Sequence, residues 1–110
     1  MSIRADLIRG HTEAIILAQL IRHDSYGYEI NKTIERCSGG ELILKEATLY
    51  TAFRRLEDAG QIESYWGDGA VGARRKYYKI TQKGRQAYDQ AREEWDATVR
   101  VLIALLEEQS

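Results

Sequence analysis

Within residues 46–80 a helical pattern, a glycine, a β-rich run, a glycine-punctuated loop and a basic run follow one another, and few folds accommodate that order. From 46 to 59, Leu49, Ala52, Phe53 and Leu56 recur at helical spacing and make one apolar face. Gly60 ends the helix, because glycine enters the left-handed conformation without steric cost. At about 100° per residue the opposite face carries Ala47, Thr51 and Arg54, flanked by Thr48, Tyr50 and Arg55. These side chains are small, hydrogen-bonding or cationic, the kinds that can reach base edges and phosphates in a major groove. Residues 61–66 are rich in β-formers, and the glycine-rich run 67–72 reads as a hairpin loop. The return strand, 74–80, holds the cations Arg74, Arg75, Lys76 and Lys79 around Tyr77 and Tyr78, a composition suited to phosphate.

The order predicts a winged helix-turn-helix, a mainly α fold with a small β-hairpin wing (α+β), whose second helix enters the major groove while the wing grips the backbone or an adjacent minor groove. On this reading Thr48, Tyr50, Thr51, Arg54 and Arg55 are the reading-helix contacts, and Arg74, Arg75 and Lys76 the wing contacts. Two helices are expected upstream. The first carries Leu7, Ile8, Ala14, Ile15, Leu17, Ala18 and Ile21, an apolar surface broad enough for both a core and a dimer seam, and is broken at residues 24–27. The second runs from about 28 to 37 with Ile30, Ile34 and Cys37 inward, and stops at Gly39 and Gly40. Leu42, Ile43 and Leu44 are expected to add a strand to the wing sheet.

A chain of 110 residues supports one core. Its net charge of −1 gives no general affinity for nucleic acid, so the distribution has to carry the case. Residues 45–79 hold seven cations against five anions, whereas both flanking segments are net acidic. A local excess that small calls for a few placed contacts repeated in a dimer, with strong salt dependence. A lone Cys37 excludes an intramolecular disulfide and fits a reducing cytosol. No apolar run reaches the roughly 18 residues of a membrane span, so a cytoplasmic protein is expected, with no membrane partner.

The last segment departs from the rest. Thr81 is placed to cap a helix from 82 to 108, about 40 Å long at 1.5 Å per residue, which a head so small cannot bury. Tyr88, Ala91, Trp95, Thr98, Leu102 and Leu105 alternate three- and four-residue spacings, the seam of a coiled coil, and Val99, Ile103 and Leu106 widen it. The expected organisation is therefore a DNA-binding unit over 1–81 and a dimerisation helix over 82–110, forming a homodimer on a palindromic double-stranded operator. A tryptophan is too large for a tight two-helix contact, so two copies of Trp95 facing across the axis leave a slot into which a planar aromatic ligand could stack. Packing of a loose dimer core is the other reading of Trp95.

His11 and His23 are not spaced as an i, i+4 metal pair, and no acidic or cysteine cluster completes a site. Thr48, Thr51 and Ser64 have no positioned base. Neither an enzyme nor a cofactor is expected.

The runs Ala47-Thr48-Leu49-Tyr50-Thr51, Arg54-Arg55-Leu56-Glu57-Asp58-Ala59-Gly60 and Arg74-Arg75-Lys76-Tyr77-Tyr78-Lys79-Ile80-Thr81 resemble the signature of PadR-family transcriptional regulators. Ser64-Tyr65-Trp66-Gly67-Asp68 and the isolated Trp95 resemble the short branch of that family that regulates multidrug efflux. The resemblance implies a dimeric repressor with a central pore for aromatic drugs. By position it implies a wall of Trp95, Ala91, Glu94, Thr98 and Val99 from the last helix, with Glu13, Ala14 and Leu17 from the first. Val99 stands where regulators of that branch have an acidic group, and Glu94 and Glu13 are the residues able to replace that charge. Two alternatives stay open: a regulator answering to a phenolic acid or to no small molecule, and a winged-helix module that binds an acidic protein.

Overall fold

Leu49, Ala52, Phe53 and Leu56 do face inward together, and the other elements are arranged around them. The computed structural model describes residues 8–68 and 74–107. A 3-10 turn, Arg9–His11, leads into helix α1, Thr12–Arg22; β1 is Ser25–Tyr26, α2 is Gly27–Cys37 and α3 is Glu46–Asp58. Strands β2, Ile62–Asp68, and β3, Arg74–Ile80, precede the long helix α4, Gln82–Leu106. Ile16, Leu17 and Leu20 of α1, Ile30 and Ile34 of α2, and Ile62, Tyr78 and Ile80 of the sheet complete one core with the inner face of α3.

The end of α3 follows from Gly60. Its φ of 74° lets its N–H reach Glu57 O at 2.9 Å and the Gln61 N–H reach Leu56 O at 2.9 Å, so both last-turn carbonyls are satisfied as the chain turns into β2. At the far end of the hairpin Thr81 makes a joint. Its hydroxyl donates to Gly60 O at 2.7 Å and accepts from Gly84 N at 3.1 Å, capping α4 as its side chain predicts. Gly84 is buried against Gln61 and Ile80: a Cβ there would stand 2.1 Å from Gln61 O, so only glycine lets α4 leave at this angle.

Three sequence expectations are corrected. The sheet is antiparallel in the order β1-β3-β2, and its third strand is Ser25–Tyr26, paired with Tyr78 and Tyr77. Leu42, Ile43 and Leu44 form no strand; the place beside β3 is taken by β1. That segment is held by side chains instead: Asn31 Nδ2 donates to Leu44 O at 2.9 Å and the Leu42 N–H donates to Ser38 Oγ at 3.0 Å. Cys37 is exposed rather than inward, because the last turn of α2 opens onto a cleft shared with Ile15 and Ala18 of α1. The hairpin also runs further than its sequence suggests, with Gly67 and Asp68 still paired to Arg75 and Arg74. The remainder of the expected loop, 69–72, lies outside the described residues, as does the last expected helical residue, Glu108.

Candidate nucleic-acid interface

Thr48, Tyr50, Thr51, Arg54 and Arg55 are all exposed on the outer face of α3. They are not equivalent. The ring of Tyr50 meets Phe53 edge-on at 5.5 Å and leans over Gly27, where a Cβ would lie 2.9 Å from its hydroxyl. Tyr50 is thus anchored against the start of α2, with 45% of its surface left to solvent. Arg55 is engaged as well, its Nε 3.2 Å from Glu13 Oε2 of α1.

On β3 the two-residue period separates the wing cations. Tyr78 and Ile80 are buried, and the strand period puts Arg74 and Lys76 on that same face, with Arg75 on the other. Each cation lies over a ring: Arg74 over Trp66 at 5.5 Å, Lys76 over Tyr78 at 5.7 Å and Arg75 over Tyr26 at 4.5 Å. The outer face carries a tyrosine ladder across the three strands. Tyr26 meets Tyr77 edge-on at 5.4 Å, and Tyr77 stacks on Tyr65 at 5.6 Å. Tyr65 donates to Asp24 Oδ2 at 2.6 Å, and that bond to a carboxylate, with desolvation, holds the phenol up to about 12. The ladder ties the wing to the α1–β1 turn. Between wing and reading helix lies a cleft of about 370 Å³ bordered by Gly27, Tyr28, Tyr50, Arg75 and Lys76.

A second cleft, about 530 Å³, opens between α1 and α4. Ala14, Ala91, Glu94, Trp95 and Thr98 of the expected ligand set border it, together with His11, Tyr88 and Arg92. Trp95 is 46% exposed, and His11 meets it edge-on with centroids 4.8 Å apart. The rest of the expected wall lies elsewhere. Leu17 is 2% exposed and belongs to the core, since it lies with Ile16 and Leu20 on the part of α1 that is buried. Glu13 points to Arg55, and Val99 is half-buried outside the lining. Beyond Trp95 the apolar stripe of α4 is bare, with Leu102 46%, Leu105 66% and Leu106 83% exposed.

Sequence reasoning missed His11 as a neighbour of Trp95 and Glu13 as a partner of Arg55. Nothing local signals either, because both are tertiary contacts between segments far apart in the chain. Among the described residues no three His, Cys, Asp or Glu side chains gather as metal ligands, and no helix is long and apolar enough to cross a membrane.

A reading helix framed by two supporting helices and a cation-bearing hairpin defines a winged-helix DNA-binding protein. Residues 16–90 match the model of the Transcriptional regulator PadR-like family. A transcriptional regulator from Clostridium thermocellum superposes with a TM-score of 0.87 at 46% identity, covering 96% of this chain and 99% of that one. A PadR family transcription regulator from Clostridium difficile superposes with a TM-score of 0.78 at 33% identity, over 87% and 98% of the two chains. An uncharacterised protein of Lysinibacillus sphaericus is 43% identical over 106 residues, 96% of each chain. The chain belongs to the PadR-like family of transcriptional regulators, which are DNA-binding proteins and not enzymes.

Proposed function

We propose that this protein is a cytoplasmic repressor that binds a palindromic operator as a homodimer and releases it when a planar aromatic ligand enters beside Trp95. The observation that carries the reading is the bare stripe on α4. Burying a large apolar side chain is worth about 1.5–3 kcal/mol; in a lone chain Leu105 and Leu106 forgo most of that and Leu102 nearly half. A second copy, seam to seam, supplies the cover and doubles the reading heads, with residues 1–81 as the head and 82–110 as the dimerisation helix. Within each head Thr48, Thr51 and Arg54 read bases, Tyr50 packs at the groove edge, and Arg55, Arg74, Arg75 and Lys76 meet phosphates. The Trp95 cleft is mostly apolar, with Glu94 at its border, which suits a flat aromatic compound like those taken by multidrug-efflux regulators.

The test compares operator affinity with and without anthraquinone-2-sulfonate, a planar probe that the DNA polyanion repels, in the parent and in Trp95→Ala. Quenching of Trp95 fluorescence at micromolar probe, about −8 kcal/mol, is expected in a Trp66→Phe background, where Trp95 is the one indole left. Release must follow from tighter probe binding to the DNA-incompetent dimer, since only differential affinity moves a population. An equal effect on DNA binding in both proteins would remove Trp95 from the mechanism. Absence of binding by any planar aromatic compound would leave Trp95 as packing within the dimer.

A further inference from the structure

We propose that Glu13 competes with DNA phosphate for Arg55, so that the first turn of α1 sets the affinity of the reading helix. The proposal rests on the DNA-binding reading but not on any small-molecule ligand. Arg55 stands at the C-terminal end of α3, on the face that carries Thr48, Thr51 and Arg54, and its guanidinium is held by a carboxylate from another helix at 3.2 Å. The side chains of the pair are 72% and 41% exposed, so the contact lies open at the rim of the DNA face. An exposed pair of this kind is weak and screened by salt, and it exchanges readily. A phosphate, like a carboxylate, presents two oxygens that can accept both arms of the Arg55 guanidinium. The exchange has room: a groove of about 300 Å³, bordered by Arg9, Thr12, Thr48, Thr51 and the pair itself, separates α1 from α3.

Two consequences separate this role from a merely stabilising ion pair. While Glu13 holds Arg55, that cation neutralises no phosphate and releases no counterion on binding, so the wild-type salt dependence is shallower than its count of interface cations suggests. When Arg55 does turn to DNA, an unpaired carboxylate is left beside the polyanion, which is repulsive. Glu13 thus lowers affinity in either state, and only the sequestration of Arg55 alters the number of phosphates neutralised.

The experiment measures affinity for a duplex selected by the protein from a random pool, at several salt concentrations, for the parent, Glu13→Gln, Arg55→Ala and the double variant. Melting curves confirm that each is folded. Glu13→Gln is expected to bind severalfold more tightly, with a salt slope steeper by about one unit for each reading head. In the Arg55→Ala background the same substitution should leave the salt slope unchanged and give a much smaller gain in affinity, that of removing the repulsive carboxylate alone. An equal gain in both backgrounds would reduce Glu13 to a general negative charge and overturn the proposal, and so would no gain in either. A parent that selects no duplex would instead defeat the DNA-binding reading on which the proposal rests.

Discussion

Phe53 of α3 and Tyr78 of β3 stack with centroids 4.1 Å apart and planes at 21°. The contact fastens the inner face of the reading helix to the strand that carries the wing cations. The tilt of the one therefore constrains the reach of the other, and predictions for the two can be separated by what each contacts.

A base-reading residue and a phosphate contact should fail in different ways. Thr51→Ala or Arg54→Ala is expected to cost about 1–3 kcal/mol on the preferred duplex and to relax specificity at one position. Arg74→Ala should weaken all sequences alike and flatten the salt slope by about one unit. Binding titrations against matched and scrambled duplexes at several salt concentrations measure both, and an unchanged slope for Arg74→Ala would take Arg74 off the phosphate backbone.

Gly84→Ala sets two effects against each other. Alanine gains up to about 1 kcal/mol of helix propensity over glycine. Its Cβ would also stand 2.1 Å from a backbone carbonyl, which has no rotamer through which to retreat. Overpacking of this kind costs about 1–3 kcal/mol, and an approach this close to backbone belongs at the upper end, so the clash is expected to win by about 2 kcal/mol, with a clear drop in Tm at equal protein concentration. A Tm equal to the parent's or higher would show that the start of α4 can shift to admit a methyl group.

The apolar stripe gives a prediction about assembly. Leu102→Asp combined with Leu105→Asp places two charges on a face expected to be dry, and should yield monomers or unfolded chains with DNA affinity lost in parallel. Sedimentation velocity reads the outcome. A folded monomer of that variant with normal affinity would assign the stripe another task.

Alkaline stability should depend on Tyr78. Burial first, then the charges of Glu57 and Tyr50, raise its phenol from the ordinary 10 to about 12. Below pH 10 the phenol is neutral in both states and its contribution is fully present. Between pH 10 and 12 the unfolded chain ionises while the folded one does not, so stability falls with rising pH. Tyr78→Phe keeps the stack on Phe53 and removes the titration, so its urea midpoint should fall less between pH 9.5 and 11.5. Parallel curves for the two proteins would place the alkaline transition elsewhere.

The elements with a period were legible in the sequence. Leu49, Phe53 and Leu56 mark α3 to within a residue at its end, and Gly60 and Thr81 act as their chemistry predicts. Ser25 and Tyr26 were not legible as a strand, because two residues display no alternation and their pairing depends on a partner some fifty positions away. Leu42, Ile43 and Leu44 misled for the converse reason: an apolar run resembles a strand whether or not the chain brings it alongside a sheet. Of the expected site, exposure on α3 followed from helical geometry, whereas the division of Arg74 and Lys76 from Arg75 emerges only once Tyr78 and Ile80 show which face of β3 is buried. The engagement of Arg55 by Glu13, the burial of Leu17 and the contact of His11 with Trp95 follow only from how α1 crosses α3 and α4.

Thr81 bonds at once to the residue that ends α3 and to the third residue of α4, with no flexible linker between them. Helix α4 therefore behaves as a rigid lever with the reading head at one end and the proposed seam at the other. From Gly84 to Leu102 the arm measures about 27 Å at 1.5 Å per residue, so a pivot of about 5° carries the head roughly 2 Å. Successive base pairs are about 3.4 Å apart along the duplex. In the proposed dimer a rotation of that size would bring one head out of step with the other, and the Thr81 joint, with the packing of α4 on α1, would set how faithfully it is transmitted.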